Sequence, residues 1–202
     1  MTFDITDYTQ PLILIFVGLP GTGKTTFAKY CFDCLKSKNR EKELYIITRD
    51  KIRCHLLNNP PNDPNWKKNL DEFVDRVELF YLTAAMFVHY FNYKTIILDG
   101  CHTNYEKLKT LLEKLNEMNY GEKGYRAYKI QIMLFGNQNT TCGYKISDKD
   151  EGDYTDYDLQ TYEHSTIPQK VIERKRAELK ELYEHMDTIK SLVDQVCECD
   201  VK

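Results

Sequence analysis

The sequence predicts an α/β protein built on a parallel sheet, because short apolar segments alternate along the chain with longer helical ones. The segments 11–17 and 95–98 are continuously apolar and rich in branched residues, as strands buried on both faces are. A glycine-rich turn at 18–23 separates the first of them from a helical pattern. We therefore expect right-handed crossovers within a single domain over residues 1–202, with an inserted lid at about 137–167.

The other elements follow from the spacing of apolar residues and from the turn-forming residues between them. Three prolines make 58–65 a loop, and Asn104 can cap a helix. Further strands are predicted at 44–48, 125–135 and 196–201. Helices are predicted at about 24–37, briefly around 52–57, and at 66–92, 104–119 and 168–191.

Composition excludes several classes of protein. The 202 residues carry a net charge of −3, and 42% of them are hydrophobic, which suffices for a core. The longest apolar run, Leu12–Val17, is too short to cross a bilayer. Seven cysteines without an export signal at the N-terminus predict reduced thiols in a cytoplasmic protein that has no membrane partner.

Charge is unevenly distributed along the chain. Residues 147–163 contain seven acids and one base, so this segment carries −6 and the rest of the chain +3. A net charge near zero removes the global electrostatic argument for a nucleic-acid partner, although a local basic patch remains possible.

One motif indicates nucleotide binding. Residues 18–25, GLPGTGKT, fit the pattern G-x-x-x-x-G-K-[ST], directly after a buried strand and at the start of a helix. The glycines let successive N–H groups turn toward an anion, and the helix N-terminus adds partial positive charge. Lys24 supplies a full positive charge near the β/γ bridge, and Thr25 offers a hydroxyl to Mg²⁺. We expect ATP or another nucleoside triphosphate to bind at Gly18, Leu19, Pro20, Gly21, Thr22, Gly23, Lys24, Thr25 and Thr26.

A second segment, RDKIR at 49–53, lies at the carboxyl end of the second strand, where ligands of open α/β sheets gather. Asp50 could accept the proton of an attacking hydroxyl group. Arg53 lies one helical turn further on and could hold a phosphate of the acceptor. The alternative is that Asp50 caps a helix and that Arg53 is solvated.

A third segment is the apolar strand 96–98, which ends at Asp99. This carboxylate can serve Mg²⁺ directly or through water, and the alternative is that it caps the strand end. His102 follows closely and could touch substrate, but a lone histidine is more often structural.

Together these segments resemble the P-loop kinases related to bacteriophage polynucleotide 5′-kinase. The family pattern is a strand, a G-x-P-G-x-G-K-[ST] loop, R-D-x-x-R, and a hydrophobic strand ending in D-x-T-N or a similar sequence. Here these are 18–25, 49–53 and 99–102, and the resemblance covers about 12–185.

The resemblance implies a three-layer α/β/α fold with four or five parallel strands. It implies that Lys24 and Thr25 hold ATP and Mg²⁺ and that Asp50 is the general base on a 5′-hydroxyl of a polynucleotide or oligonucleotide. It also implies that Arg53 binds the adjacent phosphate of this acceptor.

Two alternatives to that activity remain open. Small-molecule and aminoacyl-tRNA kinases share the architecture, and the near-neutral charge and the acidic segment favour them slightly. The third hypothesis is a non-catalytic nucleotide-binding regulatory module. It is motivated by the lid, which has no arginine between Arg126 and Arg174, although Arg174 and Arg176 of the last helix could substitute.

Overall fold

A computed structural model describes residues 11–88, 94–119, 127–137, 139–140, 145–147, 157–158, 163–164 and 166–199. The helices in these ranges are α1 Lys24–Ser37, α2 Arg49–Asn58, α3 Leu70–Val88, α4 Tyr105–Asn119, α5 Gln169–Glu184 and α6 Met186–Leu192. The strands are β1 Leu12–Gly18, β2 Leu44–Thr48, β3 Thr95–Asp99, β4 Lys129–Phe135, β5 Lys145–Ser147, β6 Tyr157–Asp158, β7 Glu163–His164, β8 Thr166–Pro168 and β9 Gln195–Cys199.

Five strands form one sheet in the order β2-β3-β1-β4-β9, and every neighbouring pair is parallel. The predicted fold class is confirmed. Strand β1 lies in the middle, where Leu12 is paired with Thr95 on one side and with Lys129 on the other. All seven residues of β1 are buried, which explains why this strand is apolar without alternation.

The sheet separates two apolar cores. Even-numbered residues of β1 from Leu12 to Phe16 pack on the face that carries α1. Odd-numbered residues from Ile13 to Val17 pack on the opposite face, against side chains of α2 to α6. The helices therefore cover both faces, in the three-layer arrangement that the resemblance implied.

Helix α3 begins at Leu70 rather than at Trp66, so the predicted start is wrong. The Asn65 N–H donates to the Asp63 carboxylate at 2.8 Å, which makes a local turn. The next bonds reach back only three residues, from Trp66 to Asp63 and from Lys68 to Asn65. These turn bonds delay the helical ladder, and Trp66 packs partly buried against the core.

The last predicted helix, 168–191, is two helices, α5 and α6. His185 separates them, with φ −107° and ψ 18°. Its ring stacks on Tyr105 of α4 with 4.4 Å between the ring centroids. This contact between distant residues is absent from the local pattern, which by itself continues through His185.

The other predicted elements are present, although β4 starts only at Lys129 and α2 is longer than predicted and starts at Arg49. Strand β9 confirms the last strand, and Asn104 caps α4 by accepting the Lys107 N–H at 3.0 Å. Most of the predicted lid lies outside the described residues, and so do parts of three other predicted elements. In and next to the described part of the lid, β5 pairs with β8 and β6 pairs with β7. Those undescribed parts are 89–92 of the third helix, 125–126 of the fourth strand and 200–201 of the fifth.

Two further findings, on the cysteines and on membrane-spanning helices, concern the described residues. In that part of the chain the six cysteines are free thiols. A search of the same residues finds no helix with both the length and the apolar character needed to span a bilayer.

Candidate active site

The glycine-rich loop follows β1 and ends where α1 begins. Gly21 and Gly23 have left-handed φ angles of 74° and 86°, which cost a residue with a side chain about 1–2 kcal/mol. The Gly18 N–H donates to the Cys101 carbonyl at 3.0 Å and so ties the start of the loop to the segment after β3. The glycines therefore allow the turn that the motif predicted.

Lys24 lies against this loop with 7% of its surface exposed. Its ammonium donates to the carbonyl oxygens of Leu19 at 2.5 Å and Gly18 at 3.1 Å, and lies 3.4 Å from the Thr22 hydroxyl. The Thr22 hydroxyl in turn donates to the Leu19 carbonyl at 2.8 Å. The loop thus holds a buried positive charge with neutral acceptors, an arrangement suited to receiving a phosphate group.

The N-terminus of α1 adds a second feature that suits anions. The first hydrogen bond within this helix runs from the Phe27 N–H to the Gly23 carbonyl at 2.9 Å. The N–H groups of Lys24, Thr25 and Thr26 precede this ladder, as the first N–H groups of a helix do. Together with the helix dipole they make a binding site for phosphate oxygens.

Thr25 and Asp99 meet at the end of this loop, where the Thr25 hydroxyl donates to Asp99 Oδ2 at 2.9 Å. Asp99 is 3% exposed, and burial raises the pKa of its carboxyl above the ordinary value, against the Thr25 hydrogen bond and the Lys24 charge. A buried carboxylate beside a hydroxyl fits the oxygen ligands that Mg²⁺ prefers.

A magnesium site here would take few ligands from the protein. Within the described ranges, no group of three or more His, Cys, Asp or Glu side chains is arranged to hold a metal ion. Mg²⁺ in kinase sites keeps several waters and binds through one or two carboxylates and the substrate phosphates. Thr25 and Asp99 fit this mode of binding.

Asp50 lies at the same edge of the sheet. Thr48 of β2 is paired with Asp99 of β3, so α2 starts beside the tip of β3. Asp50 is in the first turn of α2, and 41% of its side chain is exposed. After burial, the charge of Asp50 is a further cause that raises the pKa of Asp99. Helix α2 has no side-chain cap, so the capping alternative for Asp50 is wrong.

Arg53 is bound by carboxylates. Its Nη1 donates to Asp50 Oδ1 at 2.7 Å and its Nη2 to Asp71 Oδ1 at 3.1 Å. Burial alone would raise the pKa of Asp71, but the charge and the hydrogen bond of Arg53, together with the charges of Lys175 and Arg49, outweigh burial and lower it. The Arg53 side chain is 16% exposed, so it is not the solvated arginine of the alternative interpretation.

Three acids on one side of α3 were missed by the sequence analysis. They are spaced four and three residues apart, as neighbours on one helix face are: Asp71, Asp75 and Glu78. Glu78 is 2% exposed, and Val74 and Leu82, four residues to either side of it, are fully buried. A carboxylate in the middle of a buried apolar stripe was the signal that could have found it.

Basic side chains of α5 approach this region from the other direction. Lys175 donates to Glu178 Oε2 at 2.8 Å, and its charge, after burial and Arg53, contributes to the pKa shift of Asp71. Arg174 and Arg176, which were expected as substitutes for lid arginines, are exposed. Of these three bases, Lys175 is the one whose charge lowers the pKa of Asp71.

Comparison with known proteins gives no family. No protein-family model matches the chain, and no curated protein matches it. A structure from the PezAT chromosomal toxin–antitoxin system of Streptococcus pneumoniae is similar at 16% identity with a TM-score of 0.47, over 96% of this chain and 71% of the other. A structure named a "putative kinase" from Chloroflexus aurantiacus is similar at 12% identity with a TM-score of 0.46, over 90% of this chain and 99% of the other. Likenesses at this level do not bear on the activity.

Proposed function

We propose that this chain is a kinase that transfers the γ-phosphoryl group of ATP to an alcohol. The observation that carries the proposal is the meeting of three groups at the carboxyl edge of β1, β2 and β3. These are the Lys24 ammonium in the loop, the Thr25–Asp99 pair at 2.9 Å, and the Asp50 carboxylate in the first turn of α2, which starts beside the tip of β3. Phosphoryl transfer needs a phosphate cradle, a cation site and a base for the acceptor within one cleft.

The residues have complementary roles in this mechanism. The loop N–H groups and Lys24 bind the phosphates and stabilise charge on the γ-phosphoryl group. Thr25 and Asp99 would hold Mg²⁺, which would neutralise charge on the β- and γ-phosphate oxygens. The acceptor oxygen forms a bond to the γ-phosphorus as the bond from that phosphorus to the β–γ bridging oxygen breaks. Asp50 takes the acceptor's proton, and ADP leaves.

The acceptor we propose first is the 5′-hydroxyl of a polynucleotide or oligonucleotide. It is supported by the R-D-x-x-R segment, since Arg53 lies one turn after Asp50 on α2 and the two side chains are in contact at 2.7 Å. A guanidinium beside the base is placed to bind the phosphate next to an attacking 5′-hydroxyl.

A small-molecule alcohol is the second candidate acceptor, and a specific observation favours it. Both terminal nitrogens of Arg53 are engaged by carboxylates, those of Asp50 and Asp71. A phosphate of the acceptor would compete with these two carboxylates for the guanidinium. The segment 147–163 carries −6, and this negative charge disfavours a polyanionic acceptor.

The experiment is a transfer assay with radiolabelled γ-phosphate and Mg²⁺. The acceptors are 5′-hydroxyl DNA and RNA oligonucleotides, transfer RNA, nucleosides and sugars. We expect labelling of one acceptor class, with the rate lowered about 10²-fold or more in Asp50→Asn. Asp33→Asn, an exposed acid on α1, is the control and should keep the full rate.

Two outcomes would overturn the kinase proposal. One is tight ATP binding without transfer to any acceptor, which would favour the regulatory module. The other is a wild-type rate in Asp50→Asn. Labelling of sugars or nucleosides alone would remove the polynucleotide acceptor and keep the kinase.

A further inference from the structure

Four charged or ionisable side chains form a largely buried group beside the cleft, here named the Glu78 cluster: Arg49, Asp75, Glu78 and His102. The side chains of Glu78 and His102 are 3% and 4% exposed. Glu78 accepts a hydrogen bond from Arg49 Nη1, and its other carboxylate oxygen lies 3.0 Å from His102 Nε2. Arg49 Nη2 donates to Asp75 Oδ1 at 2.5 Å. The mechanism proposed above uses none of these four residues.

His102 is held from two sides. Its Nδ1 lies 2.8 Å from the Phe16 carbonyl oxygen, which can only accept, so Nδ1 carries the proton of that hydrogen bond. Its Nε2 lies 3.0 Å from the Glu78 carboxylate oxygen Oε1. The backbone of His102 has a left-handed φ of 42°, uncommon for a residue with a side chain. These two hydrogen bonds hold the imidazole across the gap between β1 and α3.

The cluster connects the two halves of the proposed site. Phe16 precedes Gly18, the first residue of the phosphate loop, by two positions on β1. Arg49 directly precedes Asp50 on α2. Glu78 therefore joins two parts of the site through one side chain on each side: His102 on the side of the strand that enters the loop, and Arg49, the residue before the proposed base, on the other.

We infer that Glu78 is a positioning residue for phosphoryl transfer. By holding Arg49 and His102 together it sets the place of Asp50 relative to the phosphate loop, and it touches neither substrate. The inference rests on the proposed function. A misplacement of about 1 Å in such a site costs about 10²-fold in rate. Glu78→Gln would keep one acceptor oxygen and replace the other by an NH₂ donor, so the side chain could no longer accept on both oxygens, from Arg49 and from His102.

Kinetics of two Glu78 variants test this inference in the full chain. We expect Glu78→Gln to lower kcat about 10²-fold while KM for ATP changes less than about 3-fold, because the loop remains intact. Glu78→Asp keeps the charge and should restore part of that loss. Glu72→Gln, an exposed acid on the same helix, is the matched control and should behave as wild type.

Wild-type kcat in both Glu78 variants would overturn the inference. So would a rise of KM for ATP that accounts for the whole loss of kcat/KM, since that indicates damage to nucleotide binding. If Glu78→Gln does not fold, Glu78→Asp alone decides the matter, and we expect a lower kcat at unchanged KM.

A readout without catalysis separates this inference from the proposed function. In ¹⁵N NMR spectra, the backbone amide signals of Asp50 and Gly18 should shift in Glu78→Gln and stay in place in Glu72→Gln. If wild type transfers no phosphate, the proposed function fails, and the same spectra still test the positioning. An unchanged Asp50 signal in Glu78→Gln overturns the inference whatever the activity.

Discussion

The hydroxyl of Thr25 donates a 2.9 Å hydrogen bond to the carboxylate of Asp99, which lies 74 residues further along the chain. This bond joins the first turn of α1 to the last residue of β3 and brings two hard oxygens to the end of the phosphate loop. Burial raises the pKa of Asp99, so its ionised form is disfavoured in the folded protein unless a cation compensates it.

Asp99→Asn should therefore stabilise the protein while it impairs the proposed reaction. In metal-free buffer near neutral pH we expect the free energy of unfolding to rise by about 1 kcal/mol, because the amide keeps an acceptor for Thr25 without a buried charge. The rate of transfer should fall about 10²-fold. Urea denaturation and the transfer assay measure the two effects, and a less stable variant would contradict the expectation.

Lys24→Ala should abolish tight nucleotide binding. The ammonium is the charge held at the loop, and its removal is expected to weaken ATP affinity about 10²-fold, as measured by titration with a fluorescent ATP analogue. Lys36→Ala, an exposed lysine in the last turn of the same helix, is the control. Equal affinities of the two variants would remove Lys24 from the proposed site.

Two glycine variants should differ in severity. A Cβ at Gly18 would lie 2.6 Å from the carbonyl oxygen of Phe135, which belongs to the backbone of β4, the neighbour of β1 in the sheet. A Cβ at Gly100 would lie 2.3 Å from Cδ of Arg49, a side chain that Glu78 and Asp75 hold, so Arg49 would have to move within its ion pairs. We expect Gly18→Ala, which meets backbone, to lower the free energy of unfolding by about 3 kcal/mol and Gly100→Ala, which meets side chains, by about 2 kcal/mol. Thermal or urea unfolding gives the order, and a reversed order would contradict this packing argument.

Stability in acid should depend on Glu78. Burial alone would raise the pKa of this carboxyl, but His102 and Arg49 outweigh burial and lower it from 4.5 to about 2. Because the pKa of Glu78 is lower in the folded state than in the unfolded state, its charge stabilises the protein at any pH above the unfolded-state pKa. This contribution is lost as the pH falls toward the folded-state pKa. We expect a loss on the order of 3 kcal/mol between about pH 5 and pH 2.

Urea denaturation at several pH values, compared between wild type and Glu78→Gln, isolates this contribution. The free energy of unfolding should fall more steeply with decreasing pH in wild type than in Glu78→Gln, because only wild type carries the Glu78 carboxylate. The other carboxylates titrate in both proteins, so their effect cancels in the comparison. Parallel curves would show that the charge of Glu78 contributes nothing to folding.

Much of the fold could be predicted from local pattern. Continuous apolar runs, glycines between them and the 3.6-residue spacing of apolar residues predicted the parallel sheet and most of the helices. The two main errors are the start of α3 and the division of the last helix, and in both places the apolar pattern continues where the helix does not. At Trp66 the turn hydrogen bonds place the start of α3 later, and at His185, between α5 and α6, the ring stacks on Tyr105.

For the site, the sequence by itself determined the glycine loop with Lys24 and Thr25 and the two acids that follow buried strands, because each depends on neighbours within a few positions. Only the tertiary structure decided that Arg53 is held between two carboxylates and that Glu78 links Arg49 to His102. Those contacts join residues from 18 to 29 positions apart, apart from the local Asp50 pair, and His102 reaches Phe16 across 86 positions. The physical reason is that a buried charge is tolerated only where folding brings it a partner. Partners on different helices and strands have no characteristic separation in the sequence, so the sequence pattern does not predict them.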